Sequence, residues 1–331
     1  MESLRGKKIL VTGATGFIGG RLAYRLAVEE GAAVTGSGRS IDDAPMLEKA
    51  GVSLAYGELL DLPRIRALAE GQDLIFHVAA WLGPRHGGRE MAWPLNVFAT
   101  INLVRGAAAA GVSRLVHTSS IAAYGPPAAG TEALTEATAV DPAQAGIYGR
   151  TKAEGEQKAL ALARELGLGM VIIRPGMVYG PGSYSWSKRM VQLLQKRVPV
   201  IFGDGNGLAY QVYIDNLVDG MILAAKAPAA AGEDFHFVDP QVTWQQWFGR
   251  YGEMCACPPV QIPLWLSQVV VRVAERLPLG LSIDRDLLKF YTAGTRFPTT
   301  KAERLLGYRP QVNFGEAMAR TESWLRAEGH I

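Results

Sequence analysis

The chain has 331 residues, 48% of them hydrophobic and 20% charged, and a formal net charge of +3. That length suffices for one large core or two moderate ones. So small a charge, with no basic run longer than a pair such as Lys188-Arg189, argues against a nucleic-acid partner. Two cysteines, Cys255 and Cys257, and five scattered histidines show no ligand spacing, so no metal site is expected.

The chain begins "MESLRGKKIL", without an apolar leader before its first strand-like run, which predicts a cytoplasmic protein with reduced, incidental thiols. Through the first half, "KILVT", "AAVTG", "VSLAY", "DLIFHVAA", "RLVHTSS" and "MVIIRP" read as strands. Helix-length amphipathic segments separate them, which predicts an α/β fold with a doubly wound parallel sheet and right-handed crossovers.

The first strand runs into "VTGATGFIGG", where Gly13, Gly16 and Gly19 are spaced three apart. Glycines between a strand and a helix allow a tight turn and let a pyrophosphate approach backbone N–H groups at the helix N-terminus. The lysine of a nucleoside-triphosphate loop is missing. The second strand ends "VTGSGRSIDD", so the place of an acid that would grip a ribose 2′-hydroxyl holds Gly38, and Arg39 follows. A guanidinium attracts a 2′-phosphate that a carboxylate would repel, and Ser37 and Ser40 could add hydrogen bonds. NADP is therefore expected over NAD; stacking of Arg39 on adenine in an NAD enzyme is the alternative.

Further along, "IYGRTKAEGEQ" places Tyr148 and Lys152 one helical turn apart. A nearby ammonium favours a phenolate and moves the phenol toward the working pH, as acid–base chemistry on a tyrosine requires. The most apolar stretch, "IPLWLSQVVVRVAERLPLGL", is interrupted by Arg272, Glu275 and Arg276, so it is too polar for a membrane span. An amphipathic helix is expected there, packing in a small domain or covering an apolar ligand.

Six motifs in order make the chain resemble the extended short-chain dehydrogenase/reductase family over almost its whole length. They are "TGATGFIGG", "HVAA", "TSSIAAYG", "YGRTK", "RPGMVYGPG" and "TTKAERLLGYRP". The resemblance implies a Rossmann domain over residues 1–175 plus about 208–240. A smaller, mostly C-terminal α/β substrate domain would take about 176–207 plus 241–331. It makes Tyr148 the acid/base, with Lys152 lowering its pKa and holding the nicotinamide ribose. Ser120 hydrogen-bonds the same substrate oxygen, and Ser119 competes for that role. The cofactor would further meet Thr15, Phe17, Ile18, Ala79, Ala80 and Pro175, with Asp61 and Leu62 at the adenine. Tyr124 would line the site. A homodimer through the helices around "LNVFATINLVRGAAAAG" and "YGRTKAEGEQKALALAREL" is also expected.

The substrate is read mostly from missing contacts. Relatives acting on nucleotide sugars carry an asparagine where this chain has Gly176, and an arginine where it has Ala209. No acidic pair follows Ser120, as it does in the 4,6-dehydratases; Ile121 and Ala122 stand there. Trp81, Tyr184, Trp186, Leu208 and Tyr210 instead suit a largely apolar small molecule. Together with the late apolar helix they resemble the branch with 3β-hydroxysteroid and sterol dehydrogenases and dihydroflavonol and carbonyl reductases. The expected activity is hydride transfer between a nicotinamide and a secondary alcohol or ketone. The alternatives are a nucleotide-sugar epimerase that retains its NAD and a non-catalytic dinucleotide sensor.

Overall fold

The computed structural model describes residues 1–39, 44–83, 87–276 and 285–331. The six expected strands form: β1 (Lys8–Thr12), β2 (Ala33–Gly38), β3 (Ser53–Tyr56), β4 (Leu74–His77), β5 (Arg114–Thr118) and β6 (Gly169–Pro175). Between them run α1 (Phe17–Val28), α2 (Pro45–Lys49), α3 (Leu62–Ala69), α4 (Ala99–Ala109) and α5 (Ile147–Glu165). The inner runs β1, β4, β5 and β6 are largely apolar because both sheet faces are covered there, whereas the edge strand β3 is half-exposed. Ile9, Val11 and Phe76 join one buried cluster with α1, while Leu10 and Ile75 join a second with α3, α4 and α5.

After β6 the chain forms β7 (Met177–Tyr179), α6 (Arg189–Gln195), β8 (Pro199–Phe202), β9 (Gln211–Tyr213), α7 (Ile214–Lys226) and β10 (Asp234–Phe237). There follow α8 (Trp244–Cys255), β11 (Val260–Ile262), α9 (Leu264–Arg276), α10 (Arg285–Thr292), α11 (Thr300–Leu306) and α12 (Phe314–Ala327). The main sheet is parallel, in the order β10-β6-β5-β4-β1-β2-β3. β10 is a seventh strand that sequence reasoning did not name; its four residues, DFHF, are too short to show a period. It reaches the sheet only after the excursion through β7, β8 and β9. β7 pairs with β9 and β8 with β11, each outside the main sheet.

The strand order reverses between β1 and β4. That reversal opens a crevice at the carboxyl ends of these strands, the place where a sheet of this kind receives a ligand. Among the described residues no helix is long and apolar enough to cross a membrane.

Candidate active site

The glycine loop sits at that crevice. Gly13 has φ +72°, and a Cβ there would stand 2.8 Å from the backbone nitrogen of Ala79. Only glycine lets the turn after β1 press against the end of β4. Thr15 and Gly16 are exposed at the loop tip; Phe17 and Ile18 open α1 half-buried, and Gly19 is buried against the carbonyl of Gly13. No side chain caps α1 and no acid lies in its first turn, so its leading N–H groups are left for an anion. A pyrophosphate fits this cradle. A Cβ at Gly182 would meet the Phe17 ring at 3.4 Å, so the segment after β7 crosses the glycine loop and brings Tyr184 and Trp186 with it. Tyr184 is 37% exposed; Trp186 is half-buried, and its carbonyl accepts from the Tyr251 hydroxyl at 2.6 Å.

Arg39 is exposed just beyond β2. Ser37 is buried, so it is poorly placed to meet a phosphate; Ser40, Asp42 and Asp43 lie outside the described residues. Asp61 is exposed and caps α3, accepting from the Arg64 N–H at 3.2 Å, and Leu62 opens that helix half-buried. Ala79 and Ala80 follow β4 half-buried, and Pro175 closes β6 in the core beside Phe237.

Across the sheet, β5 ends in Thr118, and Ser119 and Ser120 follow. Ser119 donates its N–H to Ile173 at 2.7 Å, and its buried hydroxyl has no hydrogen-bond partner among the described residues. Ser120 caps the turn Ile121–Tyr124, accepting from Ala122 at 3.1 Å, and its hydroxyl acts on the nearby Tyr148 phenol, opposing the upward shift of that group. Of the two serines, Ser120 therefore faces the phenol. α5 begins at Ile147, which puts Tyr148 in its first turn and Lys152 in its second. Lys152 is 2% exposed, and its amine donates to the Thr118 carbonyl at 2.5 Å.

In the free protein burial runs against the shift expected for Tyr148. Burial pushes Tyr148 up to about 12, with only the Ser120 hydroxyl opposing it. Lys152 is not among the groups that offset this shift in the free protein; its amine is buried and donates to the Thr118 carbonyl. Burial brings Lys152 down to about 8, with Glu156 one turn on opposing that shift.

Several residues around the pair were not found by sequence reasoning. The Asn96 carboxamide accepts from the Trp81 N–H at 2.8 Å and donates to Thr151 at 2.9 Å, and Thr151 donates to the Tyr148 carbonyl at 3.0 Å. Asn96 thus ties the end of β4 to the turn that carries the phenol. The His77 and His117 rings lie 5.2 Å apart beneath the sheet end; burial brings His77 down to about 3 and His117 well below its usual value, Lys152 adding to both. Thr12 and Thr100 bracket the His77 ring at 2.8 and 3.1 Å. A lone polar residue inside an apolar run gives no periodic signal, so the sequence hid them.

Of the expected lining residues, Trp81 is buried with Ala92 and Leu95, with Tyr148 packed on that cluster, and its indole N–H donates to Gly87 at 2.9 Å. The Tyr124 hydroxyl is taken up by Arg174, His236 and the Thr135 carbonyl, at 2.8, 2.9 and 3.2 Å. Tyr210 is 1% exposed, edge-on to Phe290 and Phe297. Behind them Arg174 is buried between Glu156 and Asp234, at 2.8 and 2.5 Å.

A seven-stranded parallel sheet, a glycine turn at its switch point and a serine–tyrosine–lysine cluster beside it define a dinucleotide-binding α/β enzyme of the short-chain dehydrogenase/reductase type. Residues 9–238 match the model of the NAD dependent epimerase/dehydratase family, and the chain belongs to that family, whose members are NAD(P)-dependent enzymes. It is 34% identical to the 2-alkyl-3-oxoalkanoate reductase of Stenotrophomonas maltophilia, covering 96% of this chain and 98% of that one. It is 29% identical to sterol demethylase protein B of Methylococcus capsulatus, with 97% and 99% covered. The solved structure of gox2253 superposes with a TM-score of 0.82 at 26% identity, covering 98% of this chain and all of the other. MoeE5 in complex with UDP-glucose and NAD shares the fold at a TM-score of 0.77 and 24% identity, with 97% and 99% covered.

Proposed function

We propose that the protein is an oxidoreductase that interconverts a secondary alcohol and a ketone on a largely apolar small molecule. The observation that carries this reading is the convergence of three side chains: Ser120 just past β5, Tyr148 in the first turn of α5, and buried Lys152 one turn behind it with its amine on the Thr118 carbonyl at 2.5 Å. A bound nicotinamide dinucleotide supplies or accepts the hydride. Tyr148 gives or takes the proton at the substrate oxygen, and Ser120 donates a hydrogen bond to that oxygen as charge develops. Lys152 holds a positive charge beneath the phenol and serves the ribose. The loop from Gly13 to Gly19 would hold the pyrophosphate on the open end of α1, and exposed Arg39 would favour a 2′-phosphate.

Two positions where nucleotide-sugar enzymes place ligand contacts support the apolar substrate class. A Cβ at Gly176 would stand 2.0 Å from the Tyr210 carbonyl, so no asparagine fits where nucleotide-sugar enzymes use one. Ala209, in the place of their arginine, is fully buried. Relatives named for sterols, 3β-hydroxysteroids and 2-alkyl-3-oxoalkanoates act on apolar bodies by those names. Residues 176–207 and 241–331 would hold that body. The experiment is an assay of wild type and Tyr148→Phe on steroid and alkyl-ketone panels with both cofactors. Turnover should fall roughly 10²–10⁴-fold in the variant while cofactor binding survives. Activity on UDP-sugars with retained NAD would instead establish the epimerase. A variant as active as wild type would refute the role of Tyr148, and cofactor binding without turnover on any panel would leave the sensor.

A further inference from the structure

α9 has apolar residues on both its faces. Ser267 and Val271 are buried, and Val271 packs with Phe202 and Leu288. A surface helix normally turns polar residues to water on its other side. Here the outward positions are Leu264, Trp265, Gln268, Val269, Arg272 and Val273, with Trp265 65% exposed and Val269 and Val273 44% and 41%. Nothing among the described residues covers this stripe.

Its borders are cationic. A groove of about 350 Å³ between α9 and α10 has Leu264, Val271 and Leu288 on its walls, and Arg272, Arg285 and Lys289 beside them. Asp286 lies 3.6 Å from Lys289. A tryptophan and aliphatic side chains on one helix face, framed by arginine and lysine, match the layer where acyl chains meet anionic headgroups. The helix is too short and too polar to span that layer, so it would lie in it. α10 then runs inward: Leu288 and Lys289 face the groove, and the next residue, Phe290, packs on Tyr210 in the cluster holding Ile121, the neighbour of Ser120.

We propose that α9 docks the protein on an anionic lipid bilayer, with Trp265, Val269 and Val273 inserted among the headgroups and Arg272 and Lys289 paired with phosphates. This surface does not depend on the reaction proposed above. The test is co-sedimentation of the full chain with phosphatidylcholine vesicles, with and without phosphatidylglycerol. Binding should require phosphatidylglycerol and weaken as salt rises. Trp265→Glu and Val269→Glu should each lower the partition coefficient at least about tenfold. Arg272→Glu should remove the preference for phosphatidylglycerol. Val28→Glu, an exposed apolar position on α1, should change nothing. Unchanged circular dichroism and cofactor affinity would keep any loss from being read as misfolding. The proposal is overturned if Trp265→Glu partitions like wild type, if vesicles bind equally without phosphatidylglycerol, or if light scattering shows the stripe holding two copies together.

Discussion

A Cβ at residue 176 would lie 2.0 Å from the carbonyl oxygen of Tyr210, and that carbonyl accepts the N–H of Met177 at 2.6 Å. The glycine therefore reflects contact between two backbones as well as the loss of a ligand contact. Gly176→Asn should destabilise the fold toward the upper end of the roughly 1–3 kcal/mol that overpacking costs. Urea unfolding of the variant would measure this. A stable Gly176→Asn protein that gains UDP-sugar binding would show the segment to be adaptable.

Arg39 is exposed at the end of β2, where a 2′-phosphate would lie in a dinucleotide seated on the glycine loop. Losing one charge-assisted contact costs roughly 1.5–3 kcal/mol. Arg39→Asp should thus raise the KM for NADP roughly ten- to hundredfold and leave NAD use similar or better. Steady-state kinetics with each cofactor decide it, and a wild type that already prefers NAD would refute the assignment.

The six early strands and the glycine turn were legible because buried parallel strands are continuous apolar runs and a phosphate turn has a spacing. Tyr148 and Lys152 were legible for the same reason, since one helical turn is a spacing too. What stayed hidden depends on contacts distant in sequence. Asn96 bonds Trp81 and Thr151, 15 and 55 positions away, and nothing near it in the chain marks that role. The Tyr124 hydroxyl is held by Arg174 and His236, 50 and 112 positions on, and no local pattern marks those partners. In the free protein burial pushes the Tyr148 phenol up, an effect the spacing could not show, because spacing reports proximity along a helix and not the desolvation that both groups share.

The expected homodimer has a specific test in α4. Gly106 is packed inside the chain against Ile65, so the small residues of this helix are already partly used within one subunit. Outward, Phe98 is 54% exposed just before α4 and Arg105 and Ala109 continue its exposed side. Phe98→Glu should convert a dimer to a monomer by light scattering at micromolar concentration, with the circular dichroism unchanged. A monomeric wild type removes the expectation.

Acid should unfold the protein at a milder pH than carboxylates alone would cause. Burial brings His77 and His236 down to about 3, against about 6.5 in an unfolded chain. Between those values the unfolded state binds protons that the native state does not, so stability falls as pH drops below about 6.5. Each such histidine contributes about 1.4 kcal/mol per pH unit there. Asp239, pushed up to about 7 by burial, works in the opposite direction and cancels roughly one histidine's share. The urea midpoint should fall between pH 7 and pH 5. His77→Asn should make that fall shallower, and an equally steep fall in the variant would exclude His77 as a source.

Lys152 rather than Tyr148 should lose the first proton as the free protein is made alkaline. The amine is brought down to about 8 by burial, while the phenol is pushed up to about 12. Neutralising Lys152 removes the charge that serves both the ribose and the phenolate, so cofactor affinity should weaken above about pH 8. Tyr148→Phe should keep that alkaline limb, because it leaves the amine on the Thr118 carbonyl. Lys152→Arg should abolish the limb, since a guanidinium stays charged to far higher pH. Lys152→Met should bind weakly at every pH. In the oxidative direction kcat would report Tyr148 only once cofactor and Lys152 together favour the phenolate. Isothermal titration of cofactor between pH 6 and pH 10, on wild type and the three variants, separates these roles. A limb that disappears in Tyr148→Phe instead would assign the first proton to the phenol and reverse the order of the two groups.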